Sequence, residues 1–186
     1  MHESCGVFGV YCTTADVARL TFFALFALQH RGQESAGIAI ADGKRIQVTG
    51  DMGLVSQVFD EESLEDLTGH IDIGHTRYST RGSSRVYNVQ PFVVGSGDSS
   101  LAIAHNGNIV NAEYLHEELA QEGYVFKTAT DTEVVANLIL SSPARTWEER
   151  IRYAMRRLQG AYSMCLLTGD MLFAVRDPWG VRPLLM

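Results

Sequence analysis

The sequence predicts an α+β fold in which antiparallel sheets are covered by helices. β-Hairpin patterns lie near both ends of the 186-residue chain, at residues 35–49 and 161–175, and most of the helical patterns lie between them. Hairpins at both ends with grouped helices favour antiparallel sheets over a parallel doubly wound sheet. With 46% hydrophobic and 20% charged residues, the chain is large enough and apolar enough to bury a core as one domain.

The first part of the chain alternates strand and helix patterns. Residues 5–11 combine strand-forming side chains with two glycines, which leave room for another backbone or a ligand. Residues 17–30 are apolar on nearly every helical face, so we expect a helix buried within a layer. Asp42 and Gly43 form the turn of the first hairpin. The predicted elements are a strand at 5–11, a helix at 17–30, strands at 35–41 and 45–49, helices at 54–59 and 63–67, and a strand at 71–75.

A loop rich in Gly, Ser and Asn opens the second part, over residues 81–100, broken by an apolar run at 90–94. Unstructured connections of this length are usually functional or disordered. Asn106 and Gly107 are expected to close a strand, and residues 130–133 form a capping box ahead of a helix. The predicted elements are a strand at 101–105, helices at 111–122, 134–140 and 147–158, and strands at 161–168 and 171–175.

Composition argues against several classes of function. The formal charge of −7 with scattered basic residues disfavours a nucleic-acid partner or an anionic membrane. Cys5, Cys12 and Cys165 form no Cys-x-x-Cys pair, which fits a reducing compartment and neither a disulfide framework nor a zinc knuckle. The longest apolar run, residues 22–28, is too short to span a bilayer, and no basic signal segment precedes it. We therefore expect a cytoplasmic protein without a membrane partner.

Metal and nucleotide motifs are not evident in the sequence. His75 and His105 lack the spacing of a metal-binding pair, so we expect each to anchor a strand end and predict no metal site. The Gly95-Ser96-Gly97 stretch lacks the lysine and following helix of a phosphate-binding loop.

Polar residues at the ends of apolar strands offer the best candidates for chemistry. Arg77 can bind a carboxylate through paired N–H groups, although a lone arginine is more often a surface residue. Asn106 beside the Gly107 N–H can stabilise an oxyanion, although Asn-Gly more often makes a turn. Asp131 at a helix N-terminus can bind an ammonium, or only stabilise the helix. With Cys5, by itself more often a core thiol, the set fits acyl transfer from an α-amino acid amide.

Motifs along the chain resemble those of class II glutamine amidotransferases, enzymes whose nucleophile is an N-terminal cysteine. They occur in order from residue 5 to residue 184, so the resemblance covers nearly the whole chain. The Gln-His-Arg-Gly-Gln-Glu-Ser run and the tyrosine after Arg77 favour the branch that carries a phosphoribosyltransferase half over hexosamine-phosphate and asparagine synthases. The matching segments are residues 5–9, 29–37, 74–80, 105–108, 130–133 and 176–184.

The resemblance implies a four-layer αββα N-terminal-nucleophile hydrolase fold, with two stacked antiparallel sheets between helical layers. It also implies hydrolysis of L-glutamine to glutamate and ammonia through a cysteine thioester, with the 81–100 loop closing over glutamine. The ammonia would pass to a phosphoribosyltransferase domain that makes 5-phosphoribosylamine from phosphoribosyl pyrophosphate, the first step of purine synthesis. Residue by residue, the resemblance assigns the nucleophile to Cys5, the oxyanion hole to Asn106 and Gly107, the α-carboxylate to Arg77, the α-amino group to Asp131, and the pocket lining to Thr80 and Arg31.

The resemblance also sets the expected domain limits. Residues 1–4 precede Cys5 and are expected to be a leader removed by self-cleavage, because the freed α-amino group, whose pKa in an unstructured peptide is about 7.7–8.0, would be the catalytic base. Residues 5–186 are expected to be the amidotransferase domain, with the C-terminal phosphoribosyltransferase half absent from this chain. No cofactor is expected here. Mg²⁺, and a 4Fe–4S cluster if the parent has one, would belong to that other half, and the full-length parent is expected to be a homo-oligomer.

Two other interpretations remain open from the sequence. The chain could be a free-standing glutaminase subunit that feeds ammonia to a separate synthase partner. It could also be a non-catalytic domain that senses glutamine through Arg77 and Asp131. Glutamate release that disappears in Cys5→Ala excludes the second interpretation.

Overall fold

Residues 5–78 and 86–186, which the computed structural model describes, form two stacked antiparallel sheets of four strands each. The first sheet contains β1 (Gly6–Tyr11), β2 (Ser35–Ala41), β3 (Ile46–Met52) and β4 (Ile71–Arg77), in the order β1–β4–β2–β3. The second sheet contains β5 (Phe92–Val94), β6 (Leu101–Ile109), β7 (Gly160–Leu167) and β8 (Leu172–Arg176), in chain order. Both predicted hairpins are confirmed, as β2–β3 and β7–β8.

Helices cover the outer face of each sheet. Those on the first sheet are α1 (Val17–Leu28), α2 (Val55–Val58) and α3 (Glu61–Glu65); those near the second are α4 (Ala112–Gln121), α5 (Asp131–Leu140) and α6 (Trp147–Arg157). Short 3₁₀ turns occupy Gln29–Arg31, Val86–Asn88 and Gly97–Ser99. Within the described part of the chain, no helix is long and apolar enough to cross a membrane.

The inner faces of the two sheets meet in a core of mostly small side chains. Its buried members are Ala39, Ala41, Ile71 and Ile73 from the first sheet and Ala102, Ala104, Cys165 and Leu167 from the second. Burial in this core raises the pKa of the Cys165 thiol to about 11, as expected for a thiol that only packs. Together with the helical layers outside, this core gives the four-layer αββα arrangement and confirms the predicted fold class.

The expectation that α1 is buried on nearly every face is wrong. Val17, Thr21 and Leu25 are fully buried against the first sheet, whereas Phe23 is 65% exposed and Phe26 is 55% exposed. A helix in an outer layer has a sheet on one side only, so apolar residues on its other side remain exposed whatever the sequence pattern suggests.

The expected strand end at Asn106 and Gly107 is also wrong, because β6 continues to Ile109. Asn106 pairs with Ser163 and Gly107 with Tyr162 of β7. A side chain on Gly107 would overlap the carbonyl oxygen of Ala161. Glycine is therefore required here for close packing within a strand, and cross-strand pairing has overridden the local preference of Asn-Gly for a turn.

The capping motif of α5 is confirmed, with a different start for the helix. The Thr130 hydroxyl accepts a hydrogen bond from the Glu133 N–H, as predicted. The Glu133 carboxylate instead accepts the N–H groups of Lys127 and Thr128, at 2.8 and 2.6 Å, so it fixes the approaching loop. The helix begins at Asp131, three residues before the predicted range, and this places the Asp131 carboxylate in the first turn.

Candidate active site

Cys5 lies at the entrance of β1, beside the end of β4. Gly6 pairs with Thr76, so the register places Cys5 next to Arg77. The Cys5 thiol donates a long hydrogen bond to the carbonyl oxygen of Tyr78, with Sγ 3.8 Å from that oxygen. A side chain on Gly6 would lie 2.6 Å from the Thr76 hydroxyl. The chain therefore enters the sheet tightly against β4, and the thiol lies where β1 begins and β4 ends.

The electrostatic surroundings of Cys5 keep its thiol protonated at neutral pH. Burial raises the pKa of the thiol, and the Asp131 carboxylate raises it further. A backbone hydrogen bond at Tyr78 and the Arg77 guanidinium lower the pKa, but the net shift is upward. Arg77 and Asp131 thus both act on the thiol. A nucleophile in this state needs a base to remove its proton.

Arg77 is almost completely buried at the end of β4, with 6% of its surface exposed. Its Nη1 donates to the carbonyl oxygen of Asn88 at 3.3 Å, and its own carbonyl oxygen accepts the Glu34 N–H at 3.1 Å. The backbone of β4 thus fixes the base of the side chain, and the 3₁₀ turn Val86–Asn88 contacts its guanidinium.

Arg31 contacts the backbone of the candidate nucleophile. Its Nε donates to the carbonyl oxygen of Cys5 at 3.3 Å. The next residue, Gly32, lies so close to β4 that a side chain there would be 2.6 Å from the Arg77 carbonyl carbon. The 3₁₀ turn Gln29–Arg31 is therefore pressed against the end of β4, and it orients Cys5 in addition to any contact with substrate.

Asn106, Gly107 and Asp131 form a second group, on β6 and at the start of α5. Asn106 is 3% exposed. The Asp131 carboxylate accepts the N–H of Ile109 at 3.1 Å and keeps 28% of its side chain exposed. Asp131 therefore holds the end of β6 through one oxygen while it stays accessible to a ligand.

The open edge of β6 presents the backbone N–H of Gly107. Among the described residues, β5 pairs with β6 only over Leu101–Ile103. Beyond that point the His105 N–H is bound by the Gln90 side chain and the Ile109 N–H by Asp131. Because alternate N–H groups of a strand point to the same side, the Gly107 N–H points to this edge too. It lies between two donors that already have acceptors.

Two buried histidines connect the sheets beneath the site. His75 Nε2 lies 3.1 Å from the carbonyl oxygen of His105. Burial lowers the pKa of His75 to about 3 and also lowers the pKa of His105, which Asp131 opposes. Both rings are therefore neutral at physiological pH, and neither makes a hydrogen bond to Cys5 among the described residues. The expectation that each histidine anchors a strand end is wrong, because His75 is the third residue from the end of β4 and His105 is the middle residue of β6.

The sequence analysis missed the role of Gln90, and it gave the matching segment 176–184 no contact with the site. The Gln90 side chain is buried and binds both β6 and α5. The Asp177 carboxylate accepts backbone N–H groups of Trp179 and Val181, and the Ser163 hydroxyl donates to the Pro183 carbonyl, next to Asn106. A polar residue at the head of the apolar 90–94 run was the available signal for Gln90. Thr80 lies outside the described residues, as does the first part of the 81–100 loop.

The comparisons identify the class of protein that this fold and site define. A family model described as "Glutamine amidotransferase domain" matches residues 75–186. The chain therefore belongs to the class II glutamine amidotransferases, a family of enzymes, as the sequence motifs predicted.

The relatives within that family carry a more particular name. The chain is 49% identical over 183 residues to the amidophosphoribosyltransferase of Methanocaldococcus jannaschii, covering 97% of this chain and 39% of the relative. It is 52% identical over 185 residues to amidophosphoribosyltransferase 2, chloroplastic, of Arabidopsis thaliana, covering 99% and 33%. The chain thus spans less than two fifths of the length of these relatives.

Solved structures agree with this placement. The chain is similar to a structure described as the allosteric regulatory enzyme of purine biosynthesis, with a TM-score of 0.90 and 40% identity over 95% of this chain and 38% of that one. It is also similar to glutamine phosphoribosylpyrophosphate amidotransferase from B. subtilis, complexed with ADP and GMP, with a TM-score of 0.88, 39% identity and the same coverage. These matches confirm the N-terminal-nucleophile hydrolase fold.

Proposed function

We propose that this chain hydrolyses L-glutamine to glutamate and ammonia, with Cys5 as the nucleophile. The observation that carries the proposal is the thiol at the start of β1 with the opposite charges of Arg77 and Asp131 both acting on it. An α-amino acid is a zwitterion, so its carboxylate fits Arg77 and its ammonium fits Asp131. A substrate held this way directs its side-chain amide towards the thiol.

The base in this reaction is the α-amino group of Cys5, freed by removal of residues 1–4. The buried thiol is neutral, and its neighbour, the Tyr78 carbonyl, accepts a hydrogen bond but cannot take up a proton. A free α-amine has a pKa of about 7.7–8.0, which is well matched to a proton transfer near neutral pH. While residues 1–4 remain attached, this nitrogen is part of an amide and cannot act as a base.

Acyl transfer then proceeds in two steps. The Cys5 sulfur attacks the amide carbon of glutamine, and the developing oxyanion is stabilised by the Asn106 side-chain amide and the Gly107 N–H. The tetrahedral intermediate collapses to a thioester as the α-ammonium returns its proton to the leaving nitrogen, which departs as ammonia. Water, deprotonated by the same amine, hydrolyses the thioester and releases glutamate and the free thiol. Arg31 holds the Cys5 carbonyl, and Thr80 is proposed to line the glutamine pocket.

The ammonia is proposed to pass to a phosphoribosyltransferase half, as in an amidophosphoribosyltransferase. The names of the relatives and the greater length of those relatives support this role. The whole enzyme would then convert glutamine and phosphoribosyl pyrophosphate to 5-phosphoribosylamine, in the cytoplasm and as a homo-oligomer, with Mg²⁺ and any iron–sulfur cluster in the other half. The chain alone would release ammonia without making phosphoribosylamine.

The test compares three proteins by intact mass and by glutamate release: the full chain, a chain lacking residues 2–4 so that only Met1 precedes Cys5, and Cys5→Ala. We expect active protein to begin at Cys5, and Cys5→Ala to lose release completely. Activity should rise with pH through a midpoint at about pH 7–8, because the amine must be unprotonated to act as a base.

Three results would contradict the proposal. An active chain that still carries Met1 rules out the α-amine as the base. Unchanged release by Cys5→Ala rules out the nucleophile, and glutamine binding without release by the Cys5-terminated protein would indicate a sensing domain.

A further inference from the structure

Gln90 is a buried polar residue to which the proposed mechanism gives no part. Only 8% of its surface is exposed. Its Oε1 accepts the His105 N–H at 2.8 Å, and its Nε2 donates to the Thr132 hydroxyl at 3.1 Å. One side-chain amide therefore joins β6 to the first turn of α5, with an acceptor and a donor both used.

The backbone of Gln90 is fixed from the opposite side, by the first sheet. A side chain on Gly37 of β2 would overlap the Gln90 carbonyl oxygen. The residue is thus wedged between a strand of the first sheet and the open edge of the second. Since the close approach of Gly37 fixes the backbone, the side-chain amide has little freedom to follow β6 or α5 if either moves.

The two contacts of Gln90 lie on either side of the groups that bind substrate in the proposed function. The His105 N–H precedes the Gly107 N–H on the same edge of β6, and the Ile109 N–H that follows is bound by Asp131. Gln90 and Asp131 therefore bracket the oxyanion donor along this edge. Gln90 also binds the residue next to Asp131, because Thr132 follows it in the same helical turn.

His105 closes this set of contacts. Its Nδ1 lies 3.2 Å from the Thr132 hydroxyl, and its ring is 3.7 Å from the Asp131 carboxylate. The His105 ring and the Gln90 side-chain amide thus meet at the Thr132 hydroxyl, among buried residues where each hydrogen bond is shielded from water.

We infer that Gln90 is a positioning residue, which sets the spacing between the Gly107 oxyanion donor and the ammonium-binding carboxylate of Asp131. The inference rests on the proposed glutaminase function. Gln90 touches no reacting atom. It acts by holding the edge of β6 and the start of α5 in one geometry, and small displacements of binding groups from that geometry cost large factors in rate.

The experiment uses two substrates and a matched control. The substrates are glutamine and glutaramate, which is glutamine without its α-amino group and therefore does not use Asp131. The variants are Gln90→Met, which removes both hydrogen bonds at similar volume, Thr132→Val, which removes the hydroxyl, and Thr132→Ser, which restores it. Thr168→Val is the control, since Thr168 is also buried and hydrogen-bonded but lies in the turn of the β7–β8 hairpin.

We expect Gln90→Met to lower kcat for both substrates by about 10-fold or more, because the oxyanion donor is displaced for each of them. Thr132→Val should raise KM about 10-fold for glutamine and by less than about twofold for glutaramate, because only glutamine needs Asp131 in place. Thr132→Ser should restore the KM. Thr168→Val should lower the melting temperature without changing either kinetic constant.

Three outcomes overturn the inference. In the first, Gln90→Met behaves like Thr168→Val, with kinetic constants unchanged once the folded fraction is counted by titration of the Cys5 thiol. In the second, Thr132→Val raises KM equally for both substrates. If Gln90→Met does not fold, the comparison of the two KM values of Thr132→Val tests the inference by itself. In the third, the wild type and Cys5→Ala release equally little glutamate, so the proposed function fails and the inference fails with it. An active wild type with an unaffected Gln90→Met removes the inference alone.

Discussion

The two halves of the candidate site are built in different ways. The nucleophile half, with Cys5 and Arg77, is positioned by strand pairing between β1 and β4 and by the Glu34 N–H on the Arg77 carbonyl. The electrophile half consists of Asn106 and Gly107 on β6 and Asp131 at the start of α5. Here side chains bind the open edge of β6 instead: Gln90 accepts the His105 N–H and Asp131 accepts the Ile109 N–H. Backbone pairing survives most substitutions, whereas side-chain contacts are lost with a single one. The electrophile half should therefore be the more fragile of the two.

The halves also belong to different sheets, and within residues 5–78 and 86–186 no strand pairing joins them. Their separation depends on the small side chains between the sheets and on the contact of His75 Nε2 with the His105 carbonyl. Small residues such as Ala39 and Ala104 let the sheets approach closely, and closely packed cores resist displacement. The distance from thiol to oxyanion donor is thus a property of the inter-sheet core.

The largest kinetic effect of a single substitution outside Cys5 is expected at Asn106, in the electrophile half. Asn106→Ala removes one of two oxyanion donors, and loss of one such donor lowers kcat by about 10²–10³-fold. KM should change little, because the donor acts on charge that develops only in the transition state. Steady-state glutaminase kinetics on protein that begins at Cys5 measure both constants.

Asn111→Ala is the matched control for this substitution. The Asn111 amide also makes defined contacts, donating to the Arg157 carbonyl and accepting the Gln159 N–H, both at 2.9 Å. Its loss should lower the melting temperature and leave kcat within about twofold, since these bonds lie outside the site. Equal loss of kcat in both variants would mean that Asn106 supports the fold and not the oxyanion.

A smaller and different effect is expected at Arg77, in the nucleophile half. Arg77→Lys keeps the charge but loses the planar fork that binds a carboxylate through two N–H groups. KM for glutamine should rise by about 10-fold or more while kcat falls less, because substrate and transition state share the α-carboxylate. Glutamine titration of the steady-state rate separates the two constants.

Arg157→Lys tests whether replacement of an arginine that binds a carboxylate elsewhere in the fold would give the same result. Arg157 lies away from the site, and its Nη2 donates to both oxygens of the Glu118 carboxylate, at 2.5 and 2.6 Å. Its replacement should cost stability without raising KM. If Arg77→Lys changes kcat and leaves KM as it was, then Arg77 does not bind the substrate carboxylate and the nucleophile half needs another explanation.

The elements whose signals are local could be predicted from the sequence in both halves of the site. The strand of residues 5–11, the hairpins and the capping motif at Thr130 all follow from neighbouring residues, and the structure contains them. The strand that carries Asn106 could not be delimited. Its continuation to Ile109 depends on pairing with β7, more than 50 residues further along the chain. Local preference favoured a turn, and non-local pairing decided otherwise.

Gln90 shows a second limit of the sequence. Nothing in the residues around it indicates that its side chain reaches Thr132, which lies 42 residues away in the sequence. The exposed face of α1 shows a third, since an apolar pattern reveals which residues can be buried and not how many layers cover them. The class of reaction could be predicted from the residue types in the motifs. The side-chain contacts that hold those residues could be identified only in the folded structure.

The smallest effect is expected at Asp72, which separates the stability of the first sheet from the catalysis at its edge. Asp72 lies on β4 with its carboxylate fully buried, and neither oxygen has a hydrogen-bond partner among the described residues. Burial raises the pKa of this carboxyl well above its usual value, the nearby Thr21 hydroxyl opposes this in part, and Asp16 raises the pKa further. Below the unfolded pKa of about 3.9 the group is protonated in both states and does not affect stability. As pH rises through the folded pKa, stability is lost, by about 1.4 kcal/mol for each unit between the two values.

Asp72→Asn replaces the ionisable group with a neutral one of the same shape. The melting temperature should therefore rise at pH 8 and change little at pH 4, while kcat and KM for glutamine stay within about twofold. Thermal unfolding at the two pH values, with kinetics at pH 8, measures both. An equal shift at the two pH values would mean that ionisation of Asp72 is not the cause. A large kinetic change would mean that the interior of the first sheet and the nucleophile at its edge are coupled, contrary to the backbone-held character of that half.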